Sequence, residues 1–474
     1  MGAELEELQG CGKTRDLANR AMTLFREPLT EEVAGQAKTL ILDHLGVCLR
    51  GVKLPWGEGV ARHAARHAGS GKALVVANGV RTAPAIAAMA NATAAHGLEM
   101  DDTHDASISH PGAVVIAAAL AIGHERGCSG DEMLRAIVAG YEVVARLGIA
   151  TGARDIIAHG FHPTALFCGF GAAAAGALLM GFDEERLTRG WGLLLSTAGG
   201  SMQFSEDPRG TTVKRLHAGY GAHNGLLACE LAVLGFDGPE DAFAGRYGLC
   251  RIFGRDPQLD QLSVPDGEAP EILNISIKPY PCCRLFHSTL DALGEVTDGY
   301  TLEPGHIESV RVGGPEIVVT QHMVRRPASV MAAQYNLPHI IAAALLHGPT
   351  AYEGYELDKL ADPEILAISD RVNAEFSPEM EELFPARCGT WVEITMRDGS
   401  TRRAEVIDSL GTPRRPMGWD DVLAKTMALN DGLIDAANLS GIAGLVAELG
   451  PEVSLATLVD ALSKTATQSA AVAA

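Results

Sequence analysis

The chain has 474 residues, 47% hydrophobic and 20% charged, which describes a globular protein large enough for two or three domains. Its 59 acidic residues outnumber 38 basic ones, for a formal net charge of −21. Nucleic-acid binding needs clustered Lys and Arg to neutralise phosphates, and no such run occurs, so no nucleic-acid partner is expected.

Residues 1–28 read as a lead-in that packs only partly. Within it GCGKT resembles the end of a phosphate loop, but Glu7 stands where that motif needs Gly and no strand precedes it. From Thr30 a capping start opens a helix, and helical periodicity continues through 57–68, 83–97, 111–126, 130–149, 163–180, 184–198 and 217–235. No alternating strand pattern is seen before residue 265. GFGAAAAG imitates a dinucleotide fingerprint, yet it lies inside a helical run, where small residues serve close helix packing.

The texture changes at the Pro- and acid-rich stretch PQLDQLSVPDGEAPEILN. After it, ILNISIKPY, IESVRVGG and EIVVT are β-branched runs read as strands, and CGTWVEITMRDGSTRRAEVID reads as a hairpin around Asp398-Gly399. From WDDVLAKTMALNDGLI the pattern is helical again, with a frayed tail. The expected architecture is mainly α with an α+β lid: a helical domain from 1–267, an α+β domain from 268–411, and a segment from 412–474 returning to the helical domain.

The apolar runs are broken by Gly, His or charge before they could span a bilayer, so no membrane association is expected. No apolar h-region follows a basic start, which predicts no secretory signal. Nine cysteines without regular spacing suggest reduced thiols and a cytoplasmic setting, and no zinc or iron–sulfur ligand pattern appears, so neither metal nor cofactor is expected.

Four clusters carry potential chemistry. The first is HGLEMDDTHDASISHPGAVV, with Asp101, Asp102, Thr103, His104 and His110 between two alanine-rich helices. Its structural alternative is capping by Asp and Thr, with His110 a turn residue before Pro111. The second is HGFHPTA, where His162 precedes Pro163 at a helix start. The positive end of the helix dipole there favours a neutral imidazole base. The third, EDPRGTTVKRLHAGYGAHNG, holds Lys214, Arg215 and His217, a plausible carboxylate site or else solvated helix-start charge. The fourth is ISIKPYPCCRLFH, where prolines hold Lys278; the alternative is an ordinary edge-strand lysine. Together they suit a small polycarboxylate whose carboxylates need cations and whose carbon needs proton transfer.

At these residues the chain resembles the MmgE/PrpD family. The resemblance is carried by ILDHLGVCLRG, ANATAAHGLEMDDTHDASISHPGAVVIAAALA, GFHPTALFCGFGAAAA, RGTTVKRLHAGYGAHNGLLA and ISIKPYPCCRLFHSTLDAL, which span most of the chain. It implies a helical domain formed by both chain ends, a smaller α+β lid, a homodimer, and no metal or organic cofactor. It also implies His110, His162, Lys214 and Lys278 as catalytic residues, with Asp102 and Thr103 orienting the histidine or the substrate. The reading of the clusters adds Arg284 as a further substrate-carboxylate contact and sets Glu99 and His104 aside. The implied activity is a lyase, with a 2-methylcitrate dehydratase-like hydro-lyase placed first. The alternatives are an epimerase of an amino- or iminodicarboxylate, a cis-aconitate decarboxylase-like carboxy-lyase, and a catalytically silent helical binding protein.

Overall fold

The computed structural model describes residues 12–207, 211–384 and 386–472. GCGKT therefore falls partly outside the described residues. The protein is mainly α, with a small α+β region in its C-terminal half.

Helix α1 (Lys13–Arg26) is not a loose lead-in. Leu17, Ala18 and Ala21 are fully buried at helical spacing, and Arg20 reaches Glu142 at 3.2 Å. Of the expected lead-in, the described helix is well packed; two of its four buried apolar residues, Ala18 and Ala21, are small enough to hide the stripe from Leu17 to Met22. Helix α2 (Glu31–Gly51) starts at Thr30, whose hydroxyl accepts from the Val33 amide. Then come α3 (Pro84–Ala95), α4 (Pro111–Arg126), α5 (Gly130–Thr151), α6 (Pro163–Leu179), α7 (Glu184–Leu195) and α8 (Val213–Val233). Ser129 and Glu132 form a reciprocal capping box at the start of α5.

Helix α6 is the hub, packed on α4, α5 and α8. Its GFGAAAAG run lets backbones touch: a Cβ on Gly171 would sit 2.5 Å from the Gly140 carbonyl of α5. The run is a packing surface, as its helical setting suggested.

Three two-residue strands interrupt the helical part, contrary to the expectation of none: β1 (Ala73–Leu74), β2 (Arg81–Thr82) and β3 (Thr103–His104). Pieces this short carry no alternation to read. β3 exists only because it pairs antiparallel with β4 (Ile275–Ser276), some 170 residues later, with Thr103 opposite Ser276.

The lid is built on a four-stranded sheet in the order β6-β5-β7-β8. Here β5 (Ile307–Gly314) runs parallel to β6 (Val372–Phe376) and antiparallel to β7 (Thr390–Met396), which forms the expected hairpin with β8 (Thr401–Val406). Gly399 takes the left-handed conformation that this turn requires. Helices α9 (His287–Val296) and α10 (Leu337–His347) belong to the same core. EIVVT, expected as a strand, is a short helix (Glu316–Gln321). Pro315 caps its start, and β5 has already ended at Gly314.

The chain then returns through α11 (Trp419–Leu429), α12 (Ala436–Ala447) and α13 (Leu455–Val472). Rather than fraying from Lys464 as expected, the backbone stays helical to Val472. α11 packs on α2, and Lys425 Nζ donates to Asp43 at 2.6 Å and to the Met100 carbonyl at 2.8 Å. One apolar core thus combines residues 17–277 with 417–462, and a second lies within 280–406. Tyr352 of the lid meets Val47, Leu98 and Met100 in a small third cluster at the joint.

Gly171→Ala should lower the urea-unfolding midpoint by the equivalent of about 1–3 kcal/mol, the usual cost of overpacking a tight core. The obstruction is a backbone carbonyl and cannot rotate away. An unchanged midpoint would mean that the α5–α6 contact is looser than described.

Candidate active site

Two His-Pro pairs position the imidazoles. His110 and His162 are the residues immediately before α4 and α6, and each following proline starts its helix. The two helix starts are tied together, since the His110 amide donates to Thr164 Oγ1. The His162 amide donates to the Gly200 carbonyl at 2.8 Å. Both imidazoles therefore have fixed backbones at the positive ends of helices.

A buried carboxylate organises the first imidazole. Asp101 Oδ2 lies 2.6 Å from His96 Nδ1 and 3.3 Å from His110 Nδ1, and the Asp102 carbonyl is 3.0 Å from the same His110 atom. These acceptors fix a proton on His110 Nδ1 and leave Nε2 for chemistry. Burial alone would raise the Asp101 carboxyl, but His110 and His96 hold it well below the usual range. His96, by contrast, is pushed down to about 4, mainly by burial. Among the described residues, His96 Nε2 and Asp101 Oδ1 are buried without a hydrogen bond. His96, Asp101 and His110 also offer donor atoms within 4.8 Å of one another, enough to hold a cation, although they stand at hydrogen-bond spacing.

Opposite them lies a second charged centre. The Glu99 carboxylate contacts Lys214 Nζ and Arg215 Nη1, lies 3.5 Å from Lys278 Nζ, and accepts from Tyr335 Oη at 3.1 Å. Glu99, Lys214, Arg215 and Lys278 are each no more than 2% exposed. Burial works against the Glu99 charge, but Lys214, Lys278 and Arg215 together keep its carboxyl well below the ordinary value. Lys214 is lowered by burial first, with Glu99 opposing. Glu99 holds a backbone φ of 60°, the left-handed region that a non-glycine residue seldom occupies. The sequence reading set Glu99 aside; the structure places it at the centre of the cation cluster.

The lid completes this centre. Lys278 lies two residues beyond the end of β4, between Ile277, which ends the first stretch of the first core, and Tyr280, which opens the second core. Gln334 ends a short helix that breaks before Pro338, which places Gln334 and Tyr335 at the site. Gln334 accepts from Arg215 Nη2 at 2.7 Å and donates to the Leu98 and Pro281 carbonyls. Tyr335 also lies beside Lys214, with Nζ 5.2 Å from its ring centre.

The structure thus brings His110, His162, Lys214 and Lys278 toward one buried region, with the His96 ring 4.9 Å from His110 and 6.1 Å from His162. It holds Asp102, Thr103 and Arg284 to one side. Both Asp102 oxygens are engaged, by the Gly112 amide and the Tyr141 hydroxyl, so its side chain anchors α4. Thr103 donates to Asp105, while Arg284 donates to Ser409 at 3.0 Å and lies 3.4 Å from Asp105, joining the lid to the helical part. His104, which the sequence reading set aside, pairs with Glu271. Sequence reading named Asp101 and His217 in its clusters without giving them a role, and did not single out His96, Gln334 or Tyr335. His96 and Asp101 were visible in the charged segment, whereas QYN before Leu-Pro carries little signal.

With this geometry in hand, comparison with known proteins is informative. Residues 15–262 match the MmgE/PrpD N-terminal domain and residues 280–448 the MmgE/PrpD C-terminal domain. The chain belongs to the MmgE/PrpD family. It is 27% identical to a cis-aconitate decarboxylase-like protein of Aspergillus oryzae, covering 95% of this chain and 97% of that one. It is 26% identical to the cis-aconitate decarboxylase of Aspergillus terreus (95% and 96%) and to that of Mus musculus (84% and 83%).

Burial raises the Asp102 carboxyl to about 7, although Tyr141 and Gly112 oppose the shift. The folded protein then binds more protons than the unfolded chain between about pH 4 and 7, so this group makes stability fall as pH rises through that window. Asp102→Asn should remove that part of the slope in thermal melts between pH 4 and 7. An identical slope in both proteins would contradict the shifted carboxyl.

Proposed function

We propose that the chain is a lyase acting on a small polycarboxylate by proton transfer at a carbon next to a carboxylate. The observation that carries this reading is the buried pairing of three cations with two imidazoles at helix starts. Lys214 and Lys278 bind substrate carboxylates and stabilise the enolate-like charge that develops, with Tyr335 donating a hydrogen bond beside them. His110, aligned by Asp101 and the Asp102 carbonyl, and His162 donate or accept the proton. Asp102 and Thr103 act by holding this frame, and Arg284 by fastening the lid.

The family and the relatives' names support a lyase-type reaction. Within it, loss of carbon dioxide from a cis-aconitate-like acid has the most support, because the relatives described above are decarboxylases or decarboxylase-like. No comparable support exists for loss of water from 2-methylcitrate, the activity the sequence placed first. Dehydration and epimerisation share the same intermediate and are alternative outcomes of the same assay.

A homodimer in a cytoplasmic setting completes the proposal. Val213, Tyr220, Leu227 and Leu234 recur every seven residues along and just beyond α8 and are all exposed. That apolar stripe suits an isologous contact with a second copy. The described cysteines are all free thiols, and no helix among the described residues is long and apolar enough to cross a membrane.

NMR in heavy water with cis-aconitate, citrate, 2-methylcitrate and an iminodisuccinate-forming mixture separates the outcomes as lost carbon dioxide, lost water or simple deuterium exchange. His162→Ala and Lys214→Ala should each cost about two orders of magnitude in rate while the protein stays folded. Full activity in either variant contradicts the assignment. Leu227→Glu should convert a dimer to a monomer by light scattering. A monomeric parent protein, or a dimer indifferent to the change, would rule out this face.

A further inference from the structure

His110 and His96 each meet the Asp101 carboxylate, which can balance a proton taken up by either ring. His162 is placed differently. Its Nδ1 lies 2.9 Å from Nδ1 of His217, a second imidazole that is itself buried. Phe204 covers both rings, with centroids 5.6 Å from each. Burial and nearby Lys214 hold His162 well below its ordinary value, and they lower His217 to about 4. A proton taken from substrate therefore has no stable resting place on His162.

A way out is present. His217 borders a cavity of about 290 Å³ between α6, α7 and α8, lined also by Thr197, Gly200, Tyr220 and Asn224. This space has polar groups and room for several waters.

We propose that His217 is a proton-relay residue that passes protons between His162 and the water of this cavity. The proposal rests on the reading that His162 acts at the substrate carbon. At the outset His162 carries its proton on Nδ1, donated to His217 Nδ1, and His217 carries its own on Nε2. The substrate C–H bond breaks, its electron pair stays on carbon, and His162 Nε2 takes the proton. The His162 Nδ1 proton then moves to His217 Nδ1, and the His217 Nε2 proton leaves to cavity water. Both rings end neutral with their tautomers exchanged, and one proton has reached solvent. Run backwards, the same sequence delivers a solvent proton to carbon.

The test compares His217→Asn, which can keep a hydrogen bond to His162 but cannot pass a proton through, with His217→Ala, which opens space for an added azole. The full chain is assayed on whichever acid of the NMR panel it turns over. His217→Asn should lower kcat about ten- to a hundredfold with KM within about twofold of the parent. Free imidazoles should restore part of the activity of His217→Ala, with rates that follow the basicity of the added azole. Parent-like kcat in His217→Asn overturns the relay, as does an inactive but folded His217→Ala that no azole restores. Should His217→Ala fail to fold, the kcat of His217→Asn alone decides. A fully active His162→Ala would instead remove the underlying reading, so the two failures are distinguishable.

Discussion

The structure depends on one buried carboxylate. Glu99 sits among Lys214, Arg215 and Lys278 with almost no exposure, in a setting where an unpaired cation would be very costly. Without a central anion, three like charges could not be brought so close inside the protein. The left-handed backbone at Glu99 is one cost of putting it there. This ion cluster is not mainly a source of stability, because desolvation offsets much of the attraction. Its result is a set of held cations with strong fields, the condition under which an anionic intermediate is stabilised.

The same cluster joins the two halves of the protein. Lys214 and Arg215 come from the first turn of α8, Glu99 from the turn after α3, and Lys278 and Tyr335 from the lid side. Gln334 bridges the halves through both ends of its amide. The cation cluster is therefore complete only where the two parts meet. The imidazoles, in contrast, belong wholly to the helical part, where prolines and helix ends fix them.

Much of this was legible in the sequence, for identifiable reasons. The His-Pro pairs announce helix starts because proline restricts both its own backbone and that of the residue before it. The helical part could be read from periodicity, and the β7–β8 hairpin from Asp398-Gly399. What escaped depended on distant partners. β3 needs β4, and Glu99 acquires its role only when Lys278 and Tyr335 arrive from more than 170 residues away. Asp102, read as orienting the histidine or the substrate, has both carboxylate oxygens on Gly112 and Tyr141 and its carbonyl on His110, partners that sequence spacing alone does not reveal. EIVVT was misjudged because β-branched composition was weighed above the proline in front of it.

The near-complete burial of the cation cluster has a kinetic meaning. If Lys214 holds a substrate carboxylate as proposed, that carboxylate must exchange places with Glu99, whose charge the cluster already neutralises. Uptake and release would then be activated steps with their own barrier, separate from the bond-breaking step. Turnover would report the slower of two clocks, one set by chemistry at carbon and the other by the lifetime of the ionic clasp. Solvent viscosity would act on the second clock while leaving the first nearly untouched, and dissolved salt would act weakly on the buried clasp, because buried ion pairs are little screened.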